Sequence, residues 1–235
     1  GVQRPILEVA LYEYGNNGLN SETNWIRQVL PFSSDLDLLS ERLFALKTNG
    51  GDEYCGAVLQ NALEHLVWSD VPGDLKTLFI AGNEPFDQGP SDYRAASARA
   101  LSAGIIVNTI FCGDRSTGVS TFWQDGASLG DGDYFYIDQN RVVTHIETPQ
   151  DKEIERLGVK LNGTYLPYGS RGNFGISNQS QQDSNASALS STSNVSRQVF
   201  KGSRLYQNGN WDLVDALRDG TVSIDGVPAA DLPEA

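Results

Sequence analysis

Three short stretches hold most of the residues with chemistry to offer: "GGDEYCG" (Gly50–Gly56), "GNEPFDQG" (82–89) and "CGDRSTG" (112–118). Between them they carry Asp52, Glu53, Asn83, Glu84, Asp87 and Asp114, with no histidine in any of the three. Oxygen-rich loops of this kind suit a hard cation such as Mg2+ or Ca2+ better than zinc, which favours nitrogen and sulfur. The same residues also have a purely local reading, in which Asp52 caps a helix, Glu53 lies in its first turn and the glycines make turns. Both readings stay open on the sequence. Cys55 and Cys112 are the only cysteines, and each falls in one of these loops. A disulfide between them and a pair of buried thiols are alternatives.

Catalytic constellations are sparse, and no catalytic residue is assigned. No phosphate-cradling G-x-x-x-x-G-K-[ST] occurs. The two histidines lie apart: His65 in a helical pattern, as a surface or boundary residue, and His145 in the strand-like "RVVTHIE", as half-buried packing. Trp25, Trp68, Trp123 and Trp211 are scattered and read as packing residues. An enzyme is not expected.

Elements that would position the three loops are legible around them. "PILEVALYEYG" alternates as a strand, and "SSDLDLLSERLFALK" places Ser34 or Asp35 as N-cap before Leu36, Leu39, Leu43 and Leu46 at helical spacing. "AVLQNALEHLVW" carries two adjacent apolar stripes, so a wide helix face is buried. "LKTLFIAG" and "GIIVNTIFCG" are short, apolar and β-branched, as central strands covered on both faces are. The helical "PSDYRAASARALSAG" separates them, and "STFWQDGASLGDGDYFYI" supplies a helix and a further strand. Strand and helix in alternation predict a doubly wound, mostly parallel α/β layer structure over residues 1–148. Ligands of such sheets bind beyond the carboxyl ends of the strands, where the three loops fall.

Residues 149–235 read as a C-terminal extension: a helix, a Ser/Asn/Gln-rich segment at 172–196, and a short amphipathic helix on Trp211, Val214 and Leu217. For the polar segment a helix and a disordered spacer are both open. The net charge of −13 would repel phosphate backbones, so no nucleic-acid partner is expected. No apolar run approaches the ~20 residues that a membrane-spanning helix needs. The chain opens on Gly and has no Met, from which a natural start upstream is expected.

"GGDEYCGAVLQNAL", "LKTLFIAGNEPF" and "GIIVNTIFCG" together resemble the von Willebrand factor A (VWA) domain family over residues 5–146. The resemblance implies a Rossmann-like sheet and a metal-ion-dependent adhesion site built from three loops. It also implies binding to a protein partner rather than catalysis. On the family's GGxTxTG pattern Glu53 stands where Thr is usual and Cys55 at the second Thr, while Asn83 stands for the third-loop Asp. The DxSxS loop has no counterpart in these residues, and the resemblance would put it, with the first strand, upstream of Gly1. Glu53 and Asn83 are then the expected cation ligands, with Asp52, Glu84 and Asp114 around them as ligand-binding residues and Mg2+ or another divalent cation as cofactor. The extension, with "KLNGTYLPYG" and "WDLVDAL", is similar to the tails of bacterial proteins that carry this domain; the compartment stays open, the bacterial periplasm or cell envelope being one reading. Two other readings stand beside this one: a metal-independent structural or assembly protein with a degenerate site, and a metal-assisted hydrolase using the same crevice.

Overall fold

The computed structural model describes residues 5–138 and 146–232. They divide into two compact units, each with its own packing.

The first unit is the α/β part, with strands β1 (Val9–Tyr14), β2 (Ile26–Ser33), β3 (Lys76–Gly82), β4 (Ile105–Phe111) and β5 (Tyr134–Tyr136). β1 pairs with β2, and β3, β4 and β5 form a parallel sheet in that order. Four of the helices belong here: α2 (Cys55–His65), α3 (Tyr93–Ser102), α4 (Arg115–Ser120) and α5 (Trp123–Leu129). The fold class is α/β and Rossmann-like, as the strand–helix alternation predicts. Among the described residues, however, the strands form two sheets rather than one. The hydroxyl of Tyr14 on β1 donates to the carbonyl of Ala81 on β3 at 2.8 Å, tying the two together.

Sequence chemistry explains the boundaries. The Asp92 carboxylate accepts from the Arg94 N–H and starts α3, and Gly104, at φ +70°, lets the chain leave it for β4. Gly56 allows α2 to lie against the entry of α3, since a Cβ there would meet the backbone of Ser91 and Tyr93. The core gathers Leu59, Ile80, Phe86, Tyr93, Ile105, Val107, Phe111 and Trp123. Phe86 stands edge-on to both Trp123 and Tyr93, with ring centroids 4.9 and 5.2 Å apart.

Several expectations need correction. β2 was not anticipated, because Pro31 and the isolated polar residues of "IRQVLPFS" mask the alternation. β3 is covered on one face only: Ile80 and Gly82 are buried, while Thr77, Phe79 and Ala81 on the other face are exposed. The apolar stripes of "AVLQNALEHLVW" stop short of its end: Val67 lies beyond α2 and is 90% exposed. The strand-like "RVVTHIE", with His145, falls largely outside the described residues.

The second unit is helical: α1 (Leu36–Phe44), α6 (Pro149–Asn162), α7 (Gly172–Leu189), α8 (Ser191–Lys201) and α9 (Leu213–Arg218). α1 starts at Asp35 as expected, whose carboxylate accepts from the Leu38 N–H at 3.0 Å. It clusters with the C-terminal helices, although it precedes most of the α/β unit in sequence. The division therefore differs from a boundary at residue 148. The Ser/Asn/Gln-rich segment is helix rather than spacer, because its polar side chains bond one another: Gln182 to Asn178 at 2.8 Å, and Gln179 to Asp183 at 2.9 Å. On α9 the buried residues are Leu213, Asp215 and Ala216, next to the buried Trp211, whereas Val214 and Leu217 are about two-fifths exposed.

Candidate functional site

The loops that follow β3 and precede α2 meet at the carboxyl end of the parallel sheet. Glu53 joins them. Its Oε2 accepts from the backbone N–H groups of Asn83 at 2.9 Å and Glu84 at 3.3 Å. Gln88 answers from the other loop, its Oε1 accepting from the Glu53 N–H at 2.8 Å and its Nε2 donating to Asp52 Oδ1 at 3.4 Å. Asp52 also accepts from its neighbour's phenol, Tyr54 Oη, at 3.4 Å. α2 itself begins only at Cys55, after a Tyr54 cap with no side-chain hydrogen bond. Asp52 is therefore no helix cap, and Glu53 is not in a first turn. The local reading of the sequence is corrected on both counts.

The glycines here make room for the carboxylate. A Cβ on Gly82 would run into Glu53 Oε2 and the Tyr14 hydroxyl, and one on Gly15 into Glu53 Cγ. The loop after β3 is fixed from its far side as well. The Phe86 N–H donates to the Thr121 carbonyl at 2.9 Å, and Trp123 Nε1 donates to the Glu84 carbonyl at 2.9 Å. The loop after β4 starts beside it, with the Cys112 N–H on the Gly82 carbonyl at 2.7 Å.

Asp52, Glu53, Asn83 and Glu84 are thus brought together. Asp114 lies at the same end of the sheet, but its carboxylate serves its own turn. It accepts from the N–H and hydroxyl groups of Ser116 and Thr117 and caps α4. Those hydroxyls hold it well below the usual carboxylate range. Asp52, Asn83, Asp87 and Asp114 are exposed, so the rim they edge is open to a large partner.

Burial pushes the Glu53 carboxyl above its ordinary pKa, the two N–H groups pull it back, and the Glu84 charge adds to the rise. Burial also raises the Cys55 and Cys112 thiols, with Glu53 adding to both. Neither cysteine is in a disulfide, and near neutrality both stay protonated, the form that is neither nucleophile nor metal ligand. The Tyr14 hydroxyl, 3.7 Å from Cys55 Sγ, is likewise held protonated, first by burial and then by the Glu53 charge.

A divalent cation fits this arrangement poorly. It needs several oxygens turned toward it, yet Glu53 Oε2 faces two N–H donors whose positive ends would repel the ion. Among the described residues no three of His, Cys, Asp and Glu come together as a metal group. Gln88 and Tyr14 are the site residues the sequence did not reveal. An amide five positions after Asn83 matches no motif, and Tyr14 is one of several aromatics on an alternating strand. The string Gly126-Ala127-Ser128-Leu129-Gly130 has the spacing of a nucleophile elbow, but it lies on α5 and its end instead of a strand-to-helix turn. The Ser128 hydroxyl there donates to the Gln124 carbonyl.

No protein-family model matches the chain, and no curated protein matches it in sequence. Among solved structures it is similar to BatB from Bacteroides thetaiotaomicron, at 16% identity and a TM-score of 0.43 over 56% of this chain and 71% of that one. An aerotolerance-related membrane protein from Bacteroides fragilis aligns at 18% identity and a TM-score of 0.38, over 56% and 72% of the two chains. The SpRpn10 VWA domain aligns at 15% identity and a TM-score of 0.42, over 56% and 65%.

Proposed function

We propose that the chain is a protein-docking module of the VWA type, engaging its partner at the rim formed by the loops before α2 and after β3 and β4. The observation that carries this reading is the cross-bonding of two loops by Glu53 and Gln88 beneath exposed polar side chains. Loops ordered before binding lose little conformational entropy when a partner arrives, which is how a docking surface gains affinity. Asp52, Asp87 and Asp114 face solvent, so the matching surface carries Lys or Arg, and the overall charge of −13 steers such a partner in. Docking without a resident cation fits the donor set better than docking through one. No helix among the described residues is long and apolar enough to cross a membrane.

The test is quantitative affinity capture with the wild type, with the double variant Asp52→Lys and Asp87→Lys, and with chelator. A protein retained by the wild type in chelator and lost from the double variant supports the reading. Equal retention by both forms, or loss with chelator alone, contradicts it. The metal-assisted hydrolase is disfavoured by the site's chemistry: both thiols are held neutral, and no histidine lies among the residues joined at the rim.

A further inference from the structure

We infer that Glu53 and Gln88 act as positioning residues, a reciprocal clasp that builds a bond between the two rim loops out of the protein's own side chains. The inference deepens the docking proposal by naming what sets the rim's shape, and it stands or falls on a different measurement.

Four hydrogen bonds make the clasp, two in each direction. Glu53 reaches across to the Asn83 and Glu84 amides, and Gln88 reaches back to the Glu53 amide and the Asp52 carboxylate. Each backbone amide involved sits in a loop, with no helix or sheet partner. Without the clasp these donors would need water. The surroundings are shaped to admit the side chain: Gly82 and Gly15 leave the volume that its carboxylate and Cγ take up. The titratable groups facing it are Tyr14 from β1, Cys55 from α2, Cys112 after β4 and Glu84 from the clasped loop. None is a cation at neutral pH, so Glu53 is held by N–H donors and not by ion pairing. What the clasp requires at position 53 is an acceptor oxygen of the right reach, not a negative charge. A cation ligand would have the opposite requirement.

Hydrogen exchange of the segment 83–88 separates the two, read in the full chain with chelator and with added Mg2+. Wild-type protection at the Asn83 and Glu84 amides is the same in both solutions. Glu53→Ala speeds exchange there about fivefold or more, as loss of roughly 1 kcal/mol per hydrogen bond implies, while Glu53→Gln leaves it within about twofold of wild type. Gln88→Ala deprotects the Glu53 amide and serves as the second variant if Glu53→Ala does not fold. Deprotection of the wild type by chelator, or a Glu53→Gln variant as exposed as Glu53→Ala, would overturn the inference. So would full protection in Glu53→Ala. Partner binding enters none of these readings, so failure of the docking proposal would leave the clasp standing.

Discussion

Glu53 is asked to be buried and hydrogen-bonded at once, and the two demands pull its ionisation in opposite directions. Burial prevails, so its pKa is raised in the folded protein. The sign of the consequence follows from linkage: a raised carboxyl pKa means that folding favours the neutral form. That contribution is fully present below the unfolded-state pKa and is lost as pH rises through the folded one. Glu53→Gln, neutral at every pH, should therefore melt higher than wild type near neutrality, with the gap closing in acid. Thermal melts across that range check it, and a variant that melts lower at neutral pH would contradict the assignment. Gly82 poses a steric demand instead. Gly82→Ala puts a methyl group against Glu53 and Tyr14 and should cost about 2 kcal/mol, read from the urea midpoint.

The helices of the second unit are joined by a buried network of charged side chains. Arg197 on α8 bonds Asp37 on α1 at 2.8 Å and Asp183 on α7 at 2.6 Å, and Lys201 adds a second cation on Asp183 at 2.6 Å. Tyr206 completes the group by donating to Asp37 at 2.6 Å. Every one of these side chains is mostly buried. Removing one member leaves its partners charged and unpaired, so Arg197→Ala should destabilise by about 3 kcal/mol or more in chemical denaturation. An effect below a tenth of the total stability would show the network to be solvated. These pairings span up to 169 positions of sequence, which is why α1 was legible as a helix but not as a member of this unit. Helix caps such as Asp35 and Asp92 act within a few residues and could be read directly. The convergence of the loops after β3 and β4 could be expected from strand order alone, since loops after parallel strands share one end. The loop before α2 follows a helix and could not be placed that way. The direction of the Glu53 side chain could not, because carboxylates that bind a cation and carboxylates that bind amides are the same residue in sequence.

For the whole molecule, the division into units makes a specific demand on truncation. Cutting after residue 148 removes Asp183, Arg197, Lys201 and Tyr206, and leaves Asp37 buried on α1 with none of its partners. A 1–148 fragment should therefore lose order over Leu36–Phe44, seen as fast amide exchange there, instead of folding as a free-standing domain. Persistence of a protected α1 in that fragment would place α1 with the α/β unit after all. The acidic surface makes a second demand. Docking driven by complementary charge weakens as salt rises, because screening shortens the reach of each charge to about 8 Å at physiological ionic strength. Which surface the partner touches can be read directly by photo-cross-linking, with the reactive residue placed at Asp87 on the rim or at the exposed Lys160 of the helical unit. Docking at the rim predicts adducts to the captured partner from position 87 and none from position 160; adducts from position 160 alone would move the interface off the rim.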